Sequence, residues 1–278
     1  MNKLQEKLNQ LKWLQQAGIE YYCSEQKDSK ISLVEELKKI PKQPAKAAKP
    51  KISPVEITPM PKVIKKQKEK EPSQNSLKAR DLVDNAKNLD ELKSIVENFD
   101  GCRLKDFASN TVFSDGSRNA KILLIGEAPG ATEDEQGIPF CGESGVLLDK
   151  MLETIGLSRD KNIYITNTIF WRPPANRRPT PDEIETCKPF VEKHIALLNP
   201  ELIILIGGTA TAALLGKKER ISDIRENYYS YTNQYLEKPI LTTALYHPAF
   251  LLRQPSKKKD TWFDLLKIRD HLQEKNVI

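Results

Sequence analysis

Lys121-Ile122-Leu123-Leu124-Ile125-Gly126-Glu127-Ala128-Pro129-Gly130 is the stretch whose reading decides the fold. Residues 121–125 form an apolar run without alternation, the pattern of a short strand buried on both faces. The Gly and Pro that follow force a turn with exposed backbone N–H groups, and they leave the Glu127 carboxylate just past the strand. Similar runs recur at residues 163–166, 202–206 and 240–244. Helical patterns lie between them at 144–155, 181–198 and 209–215, with another over 82–96 and a closing one over 260–273. Strands alternating with helices predict an α/β fold whose mostly parallel sheet is covered on both faces. Ligands bind at the carboxyl ends of the strands in such sheets. Glu127, Asn167, Gly207 and His247 each fall just past one of the four strands, so a single rim should collect them.

Outward from this core the chain changes character. Residues 2–22 carry Leu4, Leu8, Leu11, Trp13, Leu14 and Ile19 near helical spacing, which predicts an amphipathic helix within an N-terminal segment 1–37. Residues 38–75 turn to Lys, Pro, Ala and Glu, a composition too poor in apolar surface to offset chain entropy, and read as a disordered basic linker. A folded domain over 76–278 follows. The balance of 44 Lys+Arg against 38 Asp+Glu, a net +6, permits a polyanionic partner without requiring one. Four scattered cysteines make no secreted disulfide framework and fit a reducing cytoplasm. No apolar run approaches the ~20 residues of a membrane helix.

Several residues have two readings each. Glu127 is either a helix N-terminal acid or a carboxylate placed beside N–H groups that hold an anion or a water. Phe140, in Gly137-Ile138-Pro139-Phe140-Cys141-Gly142, is either a cap on the core or a stacking face for a flat base. Asn167 is either a turn former or a donor–acceptor pair for a base edge. Arg172-Pro173-Pro174-Ala175-Asn176-Arg177-Arg178 is either a solvated charge run or a stiff phosphate clamp. Ala249-Phe250-Leu251-Leu252-Arg253, expected in a loop, offers either core leucines or a wedge for a base stack followed by a cation. His194 and His271 fall in helical patterns, whereas His247 precedes Pro248 in a loop.

Together these residues resemble the uracil-DNA glycosylase superfamily, specifically its family 4. The likeness rests on Gly126-Glu127-Ala128-Pro129-Gly130 with Glu133-Asp134, Gly137-Ile138-Pro139-Phe140, Ile165-Thr166-Asn167, Arg172-Pro173-Pro174 with Asn176-Arg177, and His247-Pro248-Ala249-Phe250-Leu251-Leu252-Arg253. It spans residue 102 to the C-terminal helix and leaves residues 1–75 outside.

The resemblance implies a three-layer α/β/α sandwich and a monofunctional hydrolase that flips uracil out of DNA and cleaves its N-glycosidic bond. It implies a pocket built on Gly126, Ala128, Pro129 and Gly130, with Phe140 stacking the base, Asn167 reading its edge and Glu133 excluding a thymine methyl. His247 would stabilise the developing oxyanion, and Glu127 would position water. Arg172, Asn176, Arg177, Leu251, Leu252 and Arg253 would meet the DNA. Family 4 members usually carry a [4Fe-4S] cluster on four cysteines. Here Cys102 and Cys187 match two of those positions, while Phe99 and Trp171 stand at the others. No cluster is therefore expected. Two further readings are a non-catalytic DNA- or partner-binding module on the same fold, and a glycosylase for another base such as hypoxanthine. The expected partners are uracil-containing DNA and a protein docked by the N-terminal helix, around a monomeric enzyme.

Overall fold

A computed structural model describes residues 73–216 and 219–277. The helix expected over 2–22, and all of the expected linker before residue 73, lie outside the described residues. The elements run α1 (Gln74–Val83), α2 (Leu89–Asn98), β1 (Asp115–Gly116), β2 (Ile122–Gly126), α3 (Ala131–Gln136), α4 (Glu143–Glu153), β3 (Ile163–Asn167), α5 (Pro181–Leu198), β4 (Leu202–Ile206), α6 (Gly208–Leu215), α7 (Ile221–Ile224), β5 (Tyr229–Tyr231), β6 (Ile240–Leu245), α8 (Pro248–Arg253) and α9 (Lys258–Glu274).

The sheet has the order β1-β3-β2-β4-β6-β5. Its four inner strands are parallel, and the short edges β1 and β5 pair antiparallel. All five residues of β2 are buried, because both faces are covered. Leu123 and Ile125 face a core with Val83, Leu92, Phe190 and Ile195 from α1, α2 and α5. Ile122 and Leu124 face the other core, with Leu148, Met151, Trp262 and Leu265 from α4 and α9. Each such side chain, fully withdrawn from water, contributes about 1.5–3 kcal/mol.

The structure departs from the sequence reading in several places. The single helix expected over 82–96 is two. Asn88 caps α2 by accepting the Glu91 N–H at 2.9 Å, and the Glu91 carboxylate accepts the Lys87 N–H at 2.8 Å. This reciprocal cap starts a new helix where the periodicity suggested a continuous one. Ser73 caps α1, so that this helix starts at Gln74, within the stretch read as linker. The stretch expected as a loop after His247 is the helix α8, with Pro248 in its first turn and the His247 side chain as cap. Leu251 is consequently fully buried in the second core and cannot wedge a base stack as it stands.

His194 shows what the interior demands. It is fully buried on α5, stacked on Phe113 with ring centroids 4.5 Å apart. Tyr164 donates its hydroxyl to Ser114, so the His194 Nε2–H donates to Tyr164 and Nδ1 is left without a partner. Burial drives its pKa down from 6.5 to about 3. The unfolded chain therefore binds one more proton than the native one between those two values. Stability is retained above pH 6.5 and falls as pH drops toward 3, by about 1.4 kcal/mol per pH unit for this group. Urea unfolding across pH 4.5–6.5 should show that slope reduced by about one proton in His194→Phe. An unchanged slope would remove His194 from the acid response.

Candidate active site

The carboxyl ends of β2, β3, β4 and β6 open into a cleft of about 960 Å³. Glu127, Glu133, Phe140, Asn167, His247 and Arg253 all line it. Gly126 lies in register with Asn167 across the β2–β3 pair, so the two strand ends deliver adjacent residues. Gly126, expected to bind the substrate, is buried outside the cleft lining and backs these side chains instead: a Cβ there would stand 2.3 Å from Asn167 Oδ1 and 2.5 Å from the Phe140 ring. Only glycine permits both side chains to settle on this backbone.

Asn167 is 1% exposed, and its Oδ1 has no hydrogen-bond partner. A buried, unpaired carbonyl oxygen costs about 1–3 kcal/mol, which a ligand N–H in the cleft would relieve. The Phe140 ring lies beside it, with its centroid 5.7 Å from that of His247. His247 Nδ1 accepts the Ala249 N–H at 3.2 Å, so in the neutral ring the proton sits on Nε2. Burial, followed by the charge of Arg253, lowers its pKa to about 4 against a smaller opposing pull from Glu133. At neutral pH the cleft thus holds an uncharged imidazole with a free Nε2 donor.

Glu133 does more than line the cleft. Its carboxylate accepts the Gly130 N–H at 3.1 Å and the Gly142 N–H at 2.9 Å, tying the turn after β2 to the loop that carries Phe140. Glu127 is half-buried, and its carbonyl accepts the Thr168 hydroxyl at 2.6 Å. Ala128, Pro129, Gly130, Asn176 and Arg177 line the cleft, whereas Arg172, Leu251 and Leu252 do not. Arg172 is bound to Asn176, with Nε to Oδ1 at 2.7 Å. Arg177 pairs with Glu183 through two bonds of 2.9 and 2.6 Å, so it is not a free clamp. Two contributors were not singled out as site residues from the sequence. Arg178 lines the cleft beside Arg177, and Arg159 reaches the Phe140 carbonyl from 19 residues away. Arg178 stood in a basic motif; Arg159 carried no local signal.

The positions of the implied iron–sulfur cluster hold other chemistry. Phe99 is buried with its edge on Phe190, centroids 4.9 Å apart, and its ring folds over Gly101. Trp171 is buried too, donating its indole N–H to Thr111 at 3.0 Å. The two cysteines are buried free thiols that interact with each other. Their interaction holds the Cys102 thiol below its ordinary pKa, and together with burial it raises that of Cys187. Two sulfurs and two carbon side chains do not supply the four thiolates of such a cluster. Among the described residues no group of three or more His, Cys, Asp or Glu is placed to hold a metal ion.

Comparison with known proteins gives this geometry its relatives. The family model described as the uracil DNA glycosylase superfamily matches residues 113–267. A type-4 uracil-DNA glycosylase of Sulfurisphaera tokodaii is 38% identical over 185 residues, covering 66% of this chain and 84% of the relative. One of Archaeoglobus fulgidus is 34% identical over 187 residues, covering 65% and 92%. A DNA polymerase of Bacillus phage SP01 is 30% identical over 179 residues, 63% of this chain but 18% of the phage protein. Because that family model matches more than half of its length, this chain belongs to the uracil-DNA glycosylase superfamily.

Proposed function

We propose that this protein removes uracil from DNA by hydrolysing the N-glycosidic bond, leaving an abasic site. The unpartnered, buried Oδ1 of Asn167, a residue that lines the cleft, carries the reading. Uracil offers an N–H next to a carbonyl at its polar edge, which complements the carbonyl and amide of one asparagine. The extruded base stacks on Phe140 while Asn167 meets that edge. Glu133, held at the mouth of the loop, faces the ring carbon that bears a methyl in thymine.

As the bond lengthens, electrons pass to the base and the sugar becomes cationic. The His247 Nε2–H donates to the base oxygen that gathers negative charge, a preorganised contribution of about 3–4 kcal/mol. The Glu127 carboxylate stabilises the cationic sugar and orients the water that adds to it. Arg178 and Arg253 take the phosphates, and Leu252 rather than Leu251 borders the emptied stack.

The absence of an iron–sulfur cluster belongs to the same proposal. Phe99, Phe190 and Trp171 hold α2 and the following segment to α5 by packing. Protein reconstituted with ferrous iron and sulfide should bind no stoichiometric iron, and chelation should leave its unfolding midpoint unchanged. Four-iron stoichiometry with visible absorbance would overturn this. No helix among the described residues is long and apolar enough to cross a membrane. Residence in the cytoplasm, a monomeric state and a docking role for the N-terminal segment complete the proposal; the free thiols Cys102, Cys141 and Cys187 support a reducing compartment.

The test is a labelled oligonucleotide with one uracil, alkali-cleaved after incubation, beside thymine and hypoxanthine controls. Cleavage at uracil alone supports the reading. Folded protein that binds DNA without cleaving it would move the function to a binding module, and cleavage at hypoxanthine alone would change the base.

A further inference from the structure

Phe140 holds a backbone that phenylalanine rarely adopts. Its φ is +52°, in the left-handed region where a Cβ crowds the following carbonyl at a cost of about 1–2 kcal/mol. Surrounding structure must hold such a residue in place. One device is Gly145 on α4, where a Cβ would stand 1.6 Å from the Phe140 carbonyl oxygen. The other is Arg159. Its Nη2 donates to the Phe140 carbonyl at 2.6 Å and its Nη1 to the Pro139 carbonyl at 2.8 Å. The guanidinium is itself anchored, with Nε on Asp149 of α4 and Nη1 on Asp115 of β1, both at 2.9 Å. The side chain is 15% exposed, so little water competes for these bonds. The planar fork reaches two carbonyls and two carboxylates at once, which a single ammonium cannot reproduce.

We propose that Arg159 is a positioning residue for base recognition: by pinning two successive carbonyls it holds the Phe140 ring over Gly126, beside Asn167 and His247, as a preformed stacking face. Arg159 touches neither base nor sugar. The inference rests on the uracil reading for its substrate, though not for its geometry. Without the fork, the backbone at Phe140 relaxes toward right-handed values and the ring leaves its place. The loss therefore falls on base binding before it falls on bond cleavage.

The test compares Arg159→Gln and Arg159→Lys in the parent protein and in a Phe140→Ala background. Arg159→Gln should lower kcat/KM for uracil excision about thirtyfold, mostly through KM, and weaken inhibition by free uracil by a similar factor. Arg159→Lys should restore less than half of that loss on a logarithmic scale. With Phe140 already alanine, Arg159→Gln should change kcat/KM by less than about threefold, since the ring it positions is gone. An equal loss in both backgrounds, or unchanged inhibition by free uracil, would assign Arg159 to holding the fold and overturn the inference. Should Arg159→Gln not fold, Asp149→Asn keeps the guanidinium and weakens its anchor, and should show a smaller loss with the same dependence on the ring. A 4-fluorophenylalanine label at residue 140 decides the geometry whatever the substrate is. Its fluorine resonance should be single in the parent and split or broadened in either variant, and an unaltered resonance counts against Arg159. A parent protein that spares uracil while the fluorine signal responds would sink the uracil reading alone.

Discussion

Asn167→Leu should lose about three to four orders of magnitude in kcat/KM for uracil excision while remaining as stable as the parent or more so. The two side chains have similar volumes, and position 167 is buried at the end of an inner strand. Leucine removes the orphaned Oδ1 together with the cost of burying it unpaired, which in the free protein amounts to about 1–3 kcal/mol. The bound base then carries the penalty, because its N–H and carbonyl face an apolar side chain. Sites built to hydrogen-bond a substrate discriminate by about 10⁴ or more when the pairing is broken. Single-turnover excision and urea unfolding on the same preparation check both halves. A variant retaining a tenth of parental activity, or one destabilised by several kcal/mol, would show that Asn167 works for the fold and not for the base.

His247→Asn should lower kcat by about 10²–10³ with little change in stability or DNA affinity. Asparagine is a good N-cap, so it can still accept the backbone N–H that His247 Nδ1 accepts and keep α8 in place. Its amide is too short to deliver the distal donor that Nε2–H provides. The pH profile separates this role from general acid catalysis by an imidazolium. Burial and Arg253 hold the His247 pKa at about 4, so the ring is neutral through the usual histidine range. Parental kcat should therefore show no inflection near 6.5 from this group and fall only as pH approaches 4. Protonation requires Nδ1 to become a donor and to release the Ala249 N–H, which opposes charging further. An acid limb near pH 6.5 that vanishes in His247→Asn would contradict the neutral-donor mechanism.

The four inner strands were legible because each is a run of five or six residues, buried almost throughout, that carries no charged side chain. β1 and β5 were not, since two or three residues at an edge leave no periodicity to read. The division of α1 from α2 turned on one capping asparagine within an otherwise continuous pattern. Leu251 and Leu252 looked alike in the sequence. Helix α8 turns one into the core and leaves the other half-exposed, a difference that only the pitch of a formed helix assigns. Arg159 lies 19 residues from the Phe140 carbonyl it holds, with the whole of helix α4 between the two, and no local rule links them.

The sequence alone determined the parallel sheet and the rim to which Glu127, Asn167, Gly207 and His247 are delivered, because burial patterns and turn residues act over a few positions along the chain. It also carried Phe99 and Trp171 alongside Cys102 and Cys187, a matter of which atoms exist. Only the tertiary structure decided that Asn167 keeps an unpaired acceptor, that His247 stays neutral with Nε2 free, and that Glu133 and Arg159 brace the Phe140 loop. Those properties belong to distances between residues far apart in the chain. They exist only once packing excludes water and makes each remaining polar contact count.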